Sequence, residues 1–450
     1  MSFRMNKITL ILFFIFGSLF GQRVVGYYPW WVQNGFPVSN IDLSVVTHVN
    51  HAFAWPDSEG NLSYYSNMLN TSNSETIHAG GGKFLLSLGG WGNDVGFATV
   101  AADAQLRSTF IDNLIDICDT YGYDGIDIDW EHPWSNEDRQ NLNFLIAEMD
   151  SVFHAHDPEL LITMAVPISN WAGQWYDFSF LKSYVDYFNA MTYDMHGSWT
   201  NDAGHNSPLY QSPPGDPDGS CETAMNYLIN TRGIPEGQIN LGLPFWGKRY
   251  FASDINESFT GDVADKWYNE IPNLIGNGWE YNWDNIALCP YLRKDDYSRI
   301  ITYDNPESIG YKCEYAIELE LGGVMIWALG YDKTTDGQVL IESIDEYFLG
   351  VENDEPVIVP NKLSLKAYPN PFNPSCRFEF DLDQTEMIQL NIYSVTGENV
   401  VTLIHEELDR GKHIYYWDGK NSSDNSGSSL YFAELLGERS KTVKKIVYLK

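Results

Sequence analysis

The chain of 450 residues is longer than one core usually holds and suffices for one large domain plus a small one. An apolar fraction of 44%, with 20 Pro and 37 Gly dispersed along the chain, excludes collagen-like and wholly disordered classes. Against 61 Asp and Glu stand 27 Lys and Arg, a net charge of −34, which repels phosphate backbones and anionic lipid and argues against nucleic-acid or membrane-surface partners.

Residues 1–21 read as a signal peptide. Arg4 and Lys7 precede an apolar run from Ile8 to Phe20, and cleavage is expected beside Gly21. That run is too short for a comfortable membrane span, and no later segment is long enough to be one. The expected location is therefore outside the cell or at its surface. Cys118, Cys221, Cys289, Cys313 and Cys376 are widely spaced with no CxxC, so neither a metal site nor a cofactor is expected. A Cys289–Cys313 bridge and buried free thiols both stay open.

From 22 to 350, short apolar runs alternate with helical patterns. Strands are predicted over 24–28, 46–53, 84–88, 125–129, 160–165, 187–191, 239–243 and 324–327. Helical spacing is clearest over 106–121 (Phe110, Leu114, Ile117) and 142–153 (Phe144, Leu145, Met149). Eight strands, each followed by helix-like sequence, predict an α/β fold, a (β/α)8 TIM barrel. A doubly wound open sheet is the alternative, but Gly26-Tyr27-Tyr28-Pro29 is no glycine-rich phosphate loop. The stretch 248–296, between the seventh and eighth strands, predicts a helical turn or a small α+β insertion. Barrel chemistry sits where strands end. Those ends carry Tyr27, Trp30, Phe53, Trp91, Trp130, Tyr193, Trp246 and Trp327. Aromatic walls converging on one rim suit the flat C–H faces of sugar rings.

The sharpest signal is Asp124-Gly-Ile-Asp127-Ile-Asp129-Trp-Glu131. On a strand, Asp127, Asp129 and Glu131 share one face while Ile126, Ile128 and Trp130 face the helices. Three carboxylates on an inward face repel one another, which predicts a shared proton and a raised pKa suited to a general acid. An exposed acidic strand face and a calcium ligand set are the competing readings, but the flanking Ile-rich sequence argues for burial and a calcium loop would want turn residues rather than a strand. Asp129 and Glu131 lie about 7 Å apart along one strand and point the same way. They cannot flank a scissile bond as a conventional retaining pair does. If Glu131 protonates the leaving oxygen, the nucleophile is better sought on the substrate, as a 2-acetamido carbonyl closing an oxazolinium ring, with Asp129 orienting the amide N–H. That chemistry requires N-acetylglucosamine at the cleaved residue.

The segment resembles the DGxDxDxE signature of family 18 glycoside hydrolases, the chitinases and their relatives, a substrate-assisted family. Further stretches resemble the family in order: Ser87-Leu-Gly89-Gly90-Trp91, Met191-Thr-Tyr193-Asp194, Gly242-Leu-Pro-Phe-Trp-Gly247 and Gly323-Val-Met-Ile-Trp327. The resemblance implies Glu131 as general acid and base, Asp129 turning toward the acetamido group, and Asp127 holding Asp129 beforehand through a shared proton. It further implies Tyr193 donating to the acetamido oxygen, Asp194 tuning the acid, and Trp327 as the floor under the cleaved sugar. Tyr27, Trp30, Phe53, Trp91, Met191 and Trp246 are expected to line the cleft, with Ser87 supporting Asp127. His132 and Lys248 depart from the family's usual Tyr and Arg. The implied partner is chitin or N-acetylglucosamine oligosaccharides; an endo-β-N-acetylglucosaminidase acting on N-glycans and a non-catalytic chitin-binding lectin are the rivals.

Residues 351–360, acidic with two prolines, read as a linker. Within 361–450, alternating segments at 378–382, 388–393, 400–404, 413–417, 430–436 and 443–449 predict a small antiparallel sandwich. Tyr368-Pro-Asn-Pro-Phe-Asn-Pro ahead of that pattern resembles the C-terminal sorting domains of type IX secretion cargo, which implies that secretion machinery as a partner. The competing readings are a carbohydrate-binding module using Tyr415, Tyr416 or Trp417, and a spacer with a packed aromatic core.

Overall fold

Eight parallel strands close on themselves: Arg23–Pro29, His48–Pro56, Lys83–Gly89, Gly125–Asp129, Leu161–Val166, Tyr187–Ala190, Ile239–Pro244 and Gly323–Trp327, here called the first to eighth barrel strands. Each pairs with its neighbours in chain order, and the eighth returns to pair with the first, so the barrel has no free edge. The computed structural model describes residues 22–335, 337–350, 365–368, 375–382, 385–394, 398–419, 429–437 and 441–448. The signal peptide, the linker and the Pro-Asn-Pro-Phe-Asn-Pro run at 369–374 lie outside the described residues.

The strands are near-continuous apolar runs because both faces are covered. The outer face packs on helices. Ala104–Tyr121 starts at Asp103, whose side chain accepts from the backbone N–H groups of Gln105 and Leu106, and stops at Gly122 in the left-handed region. It buries Phe110, Ile111, Leu114 and Cys118, each fully buried apolar side chain of leucine size stabilising by about 1.5–3 kcal/mol. Its Arg107 meets Glu148 of the helix Asn136–His156 through two 2.7 Å bonds. Phe144 of that second helix, expected in the apolar stripe, is largely exposed and lies under the Arg107 guanidinium.

Two expectations are corrected. Between the first and second strands there is no α-helix but two 3-10 turns, Trp30–Val32 and Val38–Asn40, so one helical layer of the ideal repeat is missing. The insertion carries the expected helical turn, as two 3-10 turns at Tyr268–Glu270 and Pro272–Leu274, but its body is a five-stranded antiparallel sheet rather than α+β, in the order Thr260–Trp267, Trp246–Phe251, Ile300–Thr302, Cys289–Lys294, Trp279–Asp284. The alternation Trp279, Tyr281, Trp283 against Glu280, Asn282, Asp284 is the strand period that gives it away. All five cysteines are free and buried, so Cys289 and Cys313 are not bridged.

Glycine is required where the third strand ends. Gly89 has φ +109°, and a Cβ there would sit 2.2 Å from the Asp129 carbonyl oxygen, while the next N–H, of Gly90, donates to that same oxygen at 2.9 Å. Gly89→Ala is therefore expected to cost about 2 kcal/mol or more and to displace Asp129, read as a lowered thermal midpoint.

The chain divides at residue 352 into two compact units. The second is all β: a three-stranded sheet (Lys366–Tyr368, Cys376–Leu382, Gly411–Trp417) and a four-stranded one (Asn399–Leu408, Glu386–Ser394, Ser429–Leu436, Lys441–Tyr448), both antiparallel. They share a core of Phe378, Phe380, Ile388, Leu390, Ile392 and Leu435. Trp417 is buried in that core against Tyr431, so of the three proposed sugar-binding aromatics only Tyr416 is well exposed.

Candidate active site

Strand alternation turns Asp127 and Asp129 into the barrel, with Glu131 just beyond the strand end. Ile126, Ile128 and Trp130 point the other way into the helix layer, where Trp130 stacks on Phe97 at 5.4 Å; Trp130 is therefore no part of the rim.

Asp127 is fully buried and receives four hydrogen bonds. Tyr27 Oη (2.8 Å) and Ser87 Oγ (2.7 Å) donate to its Oδ2, and Thr163 Oγ1 (2.6 Å) and Asn189 Nδ2 (3.2 Å) to its Oδ1. Parallel register makes this possible by pairing Ser87 with Asp127 and Asp127 with Thr163. Burial still pushes its carboxyl above the usual range, against those four donors. Tyr27 thus holds Asp127 rather than lining an open cleft, and Ser87 supports it as expected. The four donors onto Asp127 come from Tyr27, Ser87, Thr163 and Asn189. Both Asp127 oxygens are taken, and Asp129 Oδ1 is buried without a hydrogen-bond partner.

Burial, then the charges of Glu131 and Asp127, push Asp129 well up. Glu131 is raised to about 8, first by burial and then by the charges of Asp194 and Asp94, with a hydrogen bond from the Trp91 backbone opposing. A carboxyl at that value carries its proton at neutral pH, which is what a general acid requires. Asp194 sits at φ +59° and is engaged by Lys248 Nζ at 2.7 Å; the same ammonium reaches Asp265 of the insertion at 3.1 Å.

Aromatic rings close the site from above. Trp327 stacks on Phe53 (5.6 Å) and lies 5.5 Å from Tyr27. Tyr193 meets Trp246 edge-on at 4.8 Å, and its hydroxyl donates to the weak acceptor Met325 Sδ at 3.8 Å. Met191 packs with Tyr193 and Trp327 against the small apolar cluster inside the barrel. Trp91 is 73% exposed at the rim. Trp30 stacks instead on Tyr65, and it is its neighbour Trp31, overlooked in the sequence, that reaches Trp327 at 6.3 Å. Two adjacent tryptophans give no sequence signal for which one turns inward.

For metals, the sequence offers no ligand motif. Among the described residues, His196, Asp216 and Asp218 bring ligand atoms together, with His196 Nε2 at 3.2 and 3.5 Å from the two carboxylates.

The profile of "Glycosyl hydrolases family 18" matches residues 23–332. The chain belongs to that family. "Probable chitinase 2" of Drosophila melanogaster is 29% identical over 401 residues, covering 78% of this chain and 80% of that protein. The solved Group IV chitinase of Ostrinia furnacalis superposes with a TM-score of 0.66 at 27% identity, over 73% of this chain and 100% of that one. A chitinase-like agglutinin from Robinia pseudoacacia is as similar in fold, with a TM-score of 0.64 at 27% identity over 72% of this chain and 99% of that one. Family 18 membership thus accounts for the barrel and the acidic strand, and leaves catalysis to be argued from the site.

Proposed function

We propose that this protein is a secreted chitinase that hydrolyses β-1,4 bonds of N-acetylglucosamine polymers with retention, through an oxazolinium intermediate. The observation that carries the reading is a buried Glu131, its carboxyl pushed up to about 8 by burial, beside an Asp129 oxygen without a hydrogen-bond partner. Asp194 is committed to Lys248, and Asp129 and Glu131 on one strand face do not flank a scissile bond, so the reading takes the nucleophile from the substrate. Glu131 gives its proton to the glycosidic oxygen as the acetamido carbonyl oxygen attacks C1 and the C1–O bond breaks. Asp129 Oδ1 accepts the acetamido N–H and balances the developing positive charge. Tyr193 Oη donates to the acetamido oxygen, exchanging Met325 Sδ for a better acceptor. The Glu131 carboxylate then takes a proton from the water that opens the ring at C1, which returns the β anomer.

Hydrolysis of chitin oligosaccharides, with an Asn-linked glycan in parallel and the early product anomer followed by NMR, tests the reading. Release of β-anomeric short oligomers supports it. Cleavage of the glycan core alone keeps the mechanism and changes the substrate, and turnover of neither favours a lectin. The pH profile has a defined sign. The acid form of the free enzyme is present below about 8 and lost above it, so kcat/KM is expected to fall as pH rises through about 8. A kcat/KM still rising beyond that value would remove Glu131 as the acid. Export is proposed to use residues 1–21 and the C-terminal unit, tested by fusing that unit to a reporter.

A further inference from the structure

The side chain that follows the acid is buried against it. His132 Nδ1 lies 2.9 Å from Tyr176 Oη, and that hydroxyl lies 2.7 Å from the Trp130 carbonyl oxygen. A hydroxyl has one proton and a carbonyl oxygen can only accept, so the Tyr176 proton goes to Trp130. His132 Nδ1 must then carry the hydrogen that Tyr176 accepts. The other nitrogen, Nε2, keeps its lone pair and stands 3.8 Å from Glu131 Oε2. Trp134, Trp171 and Tyr176 pack edge-on around the ring, with centroids 5.5, 5.6 and 6.1 Å away. Burial holds the imidazole down to about 4, so it is neutral over the working range of the acid.

We propose that His132 is a positioning residue for Glu131, its Nε2 lone pair favouring the carboxyl with its proton on Oε2 over the carboxylate. The inference rests on the acid role proposed for Glu131. A lone pair facing a carboxylate is repelled, whereas facing an O–H it is hydrogen-bonded, so one geometry penalises the anion and stabilises the acid. The separation is longer than a hydrogen bond, as is common in unliganded sites that tighten on substrate. Asp129, Asp194 and Asp94, the other charged groups acting with Glu131, push in the same direction. His132 differs from them in acting at one oxygen: it stores the proton on Oε2 until a glycosidic oxygen competes for it.

Ring nitrogen-15 NMR of the full chain reads the tautomer without substrate. The expected spectrum at neutral pH has a protonated Nδ1 and a bare Nε2; an Nε2–H tautomer or an imidazolium overturns the proposal. The second readout is the titration of the Glu131 carboxyl, by carbon-13 NMR and by the alkaline limb of kcat/KM. His132→Phe keeps the ring and removes the acceptor. Tyr176→Phe keeps the imidazole but frees it to carry its proton on Nε2, which would donate to the carboxylate. Both are expected to move the Glu131 titration down by about half a pH unit or more, with KM little changed. His132→Gln, which can again present an acceptor, is expected to recover most of the shift. A titration that stays put or moves up in the folded variants overturns the inference. If the wild-type chain turns over no chitin oligomer, the functional reading fails, and the two NMR measurements still decide this one.

Discussion

Glu131→Gln is expected to lower kcat on chitin oligosaccharides by about 10²–10⁴-fold while leaving oligosaccharide affinity nearly unchanged. The amide has the shape of the carboxyl but no proton to give at any working pH. It can still occupy the same place below the Trp91 backbone, so the cleft is preserved. Stability should not suffer. Glu131 is held at about 8 because burial and the charges of Asp194 and Asp94 oppose its ionisation, and a neutral amide removes that opposition. The thermal midpoint is therefore expected to stay level or rise. Calorimetric binding of a non-hydrolysed oligomer, set beside the turnover number, separates lost chemistry from lost structure. Near-wild-type turnover in the folded variant would remove Glu131 from its role.

Lys312→Ala is expected to cost about 3–5 kcal/mol of stability. The Lys312 side chain is wholly buried, with Nζ 2.7 and 2.8 Å from the two oxygens of Asp304 and 2.7 Å from Ser207 Oγ. Asp304 is equally buried and also accepts from Ser308 Oγ at 2.7 Å. Removing the ammonium leaves a carboxylate with no counter-charge in a dry site, whose alternative is to take up a proton. Adding Asp304→Asn to the same chain is expected to recover part of the loss, because the amide oxygen still accepts from Ser308 and no charge is stranded. Denaturant midpoints of the wild type, the single variant and the double variant measure this. A Lys312→Ala midpoint equal to that of the wild type would show the pair to be replaceable.

The barrel was readable because each of its eight strands is a short apolar run bounded by turn residues. The insertion's helical turn was foreseen, but its five-stranded sheet was not, although its strand alternation lies in plain sight at 279–284. Its aromatic and charged residues mix on both faces, so no single face announces burial. The missing first helix was equally illegible. Trp30-Trp31-Val32 and Val38-Ser39-Asn40 are too short to carry a period.

Period-two alternation is a local property, and it alone put Asp127, Asp129 and Glu131 on one inward face and marked the acid. Closure of the barrel is not local. It brings Tyr27, Ser87, Thr163 and Asn189, from four different strands, onto the two oxygens of Asp127, and so leaves Asp129 rather than Asp127 with an unpartnered oxygen. It places Tyr176, 44 residues downstream, where it fixes the proton on His132, and it buries Lys312 against Asp304. The sequence determined which groups carry the chemistry, since side-chain identity and strand period are written residue by residue. Only the tertiary structure decided their protonation and orientation, because desolvation and hydrogen bonding depend on which distant strands the register sets side by side.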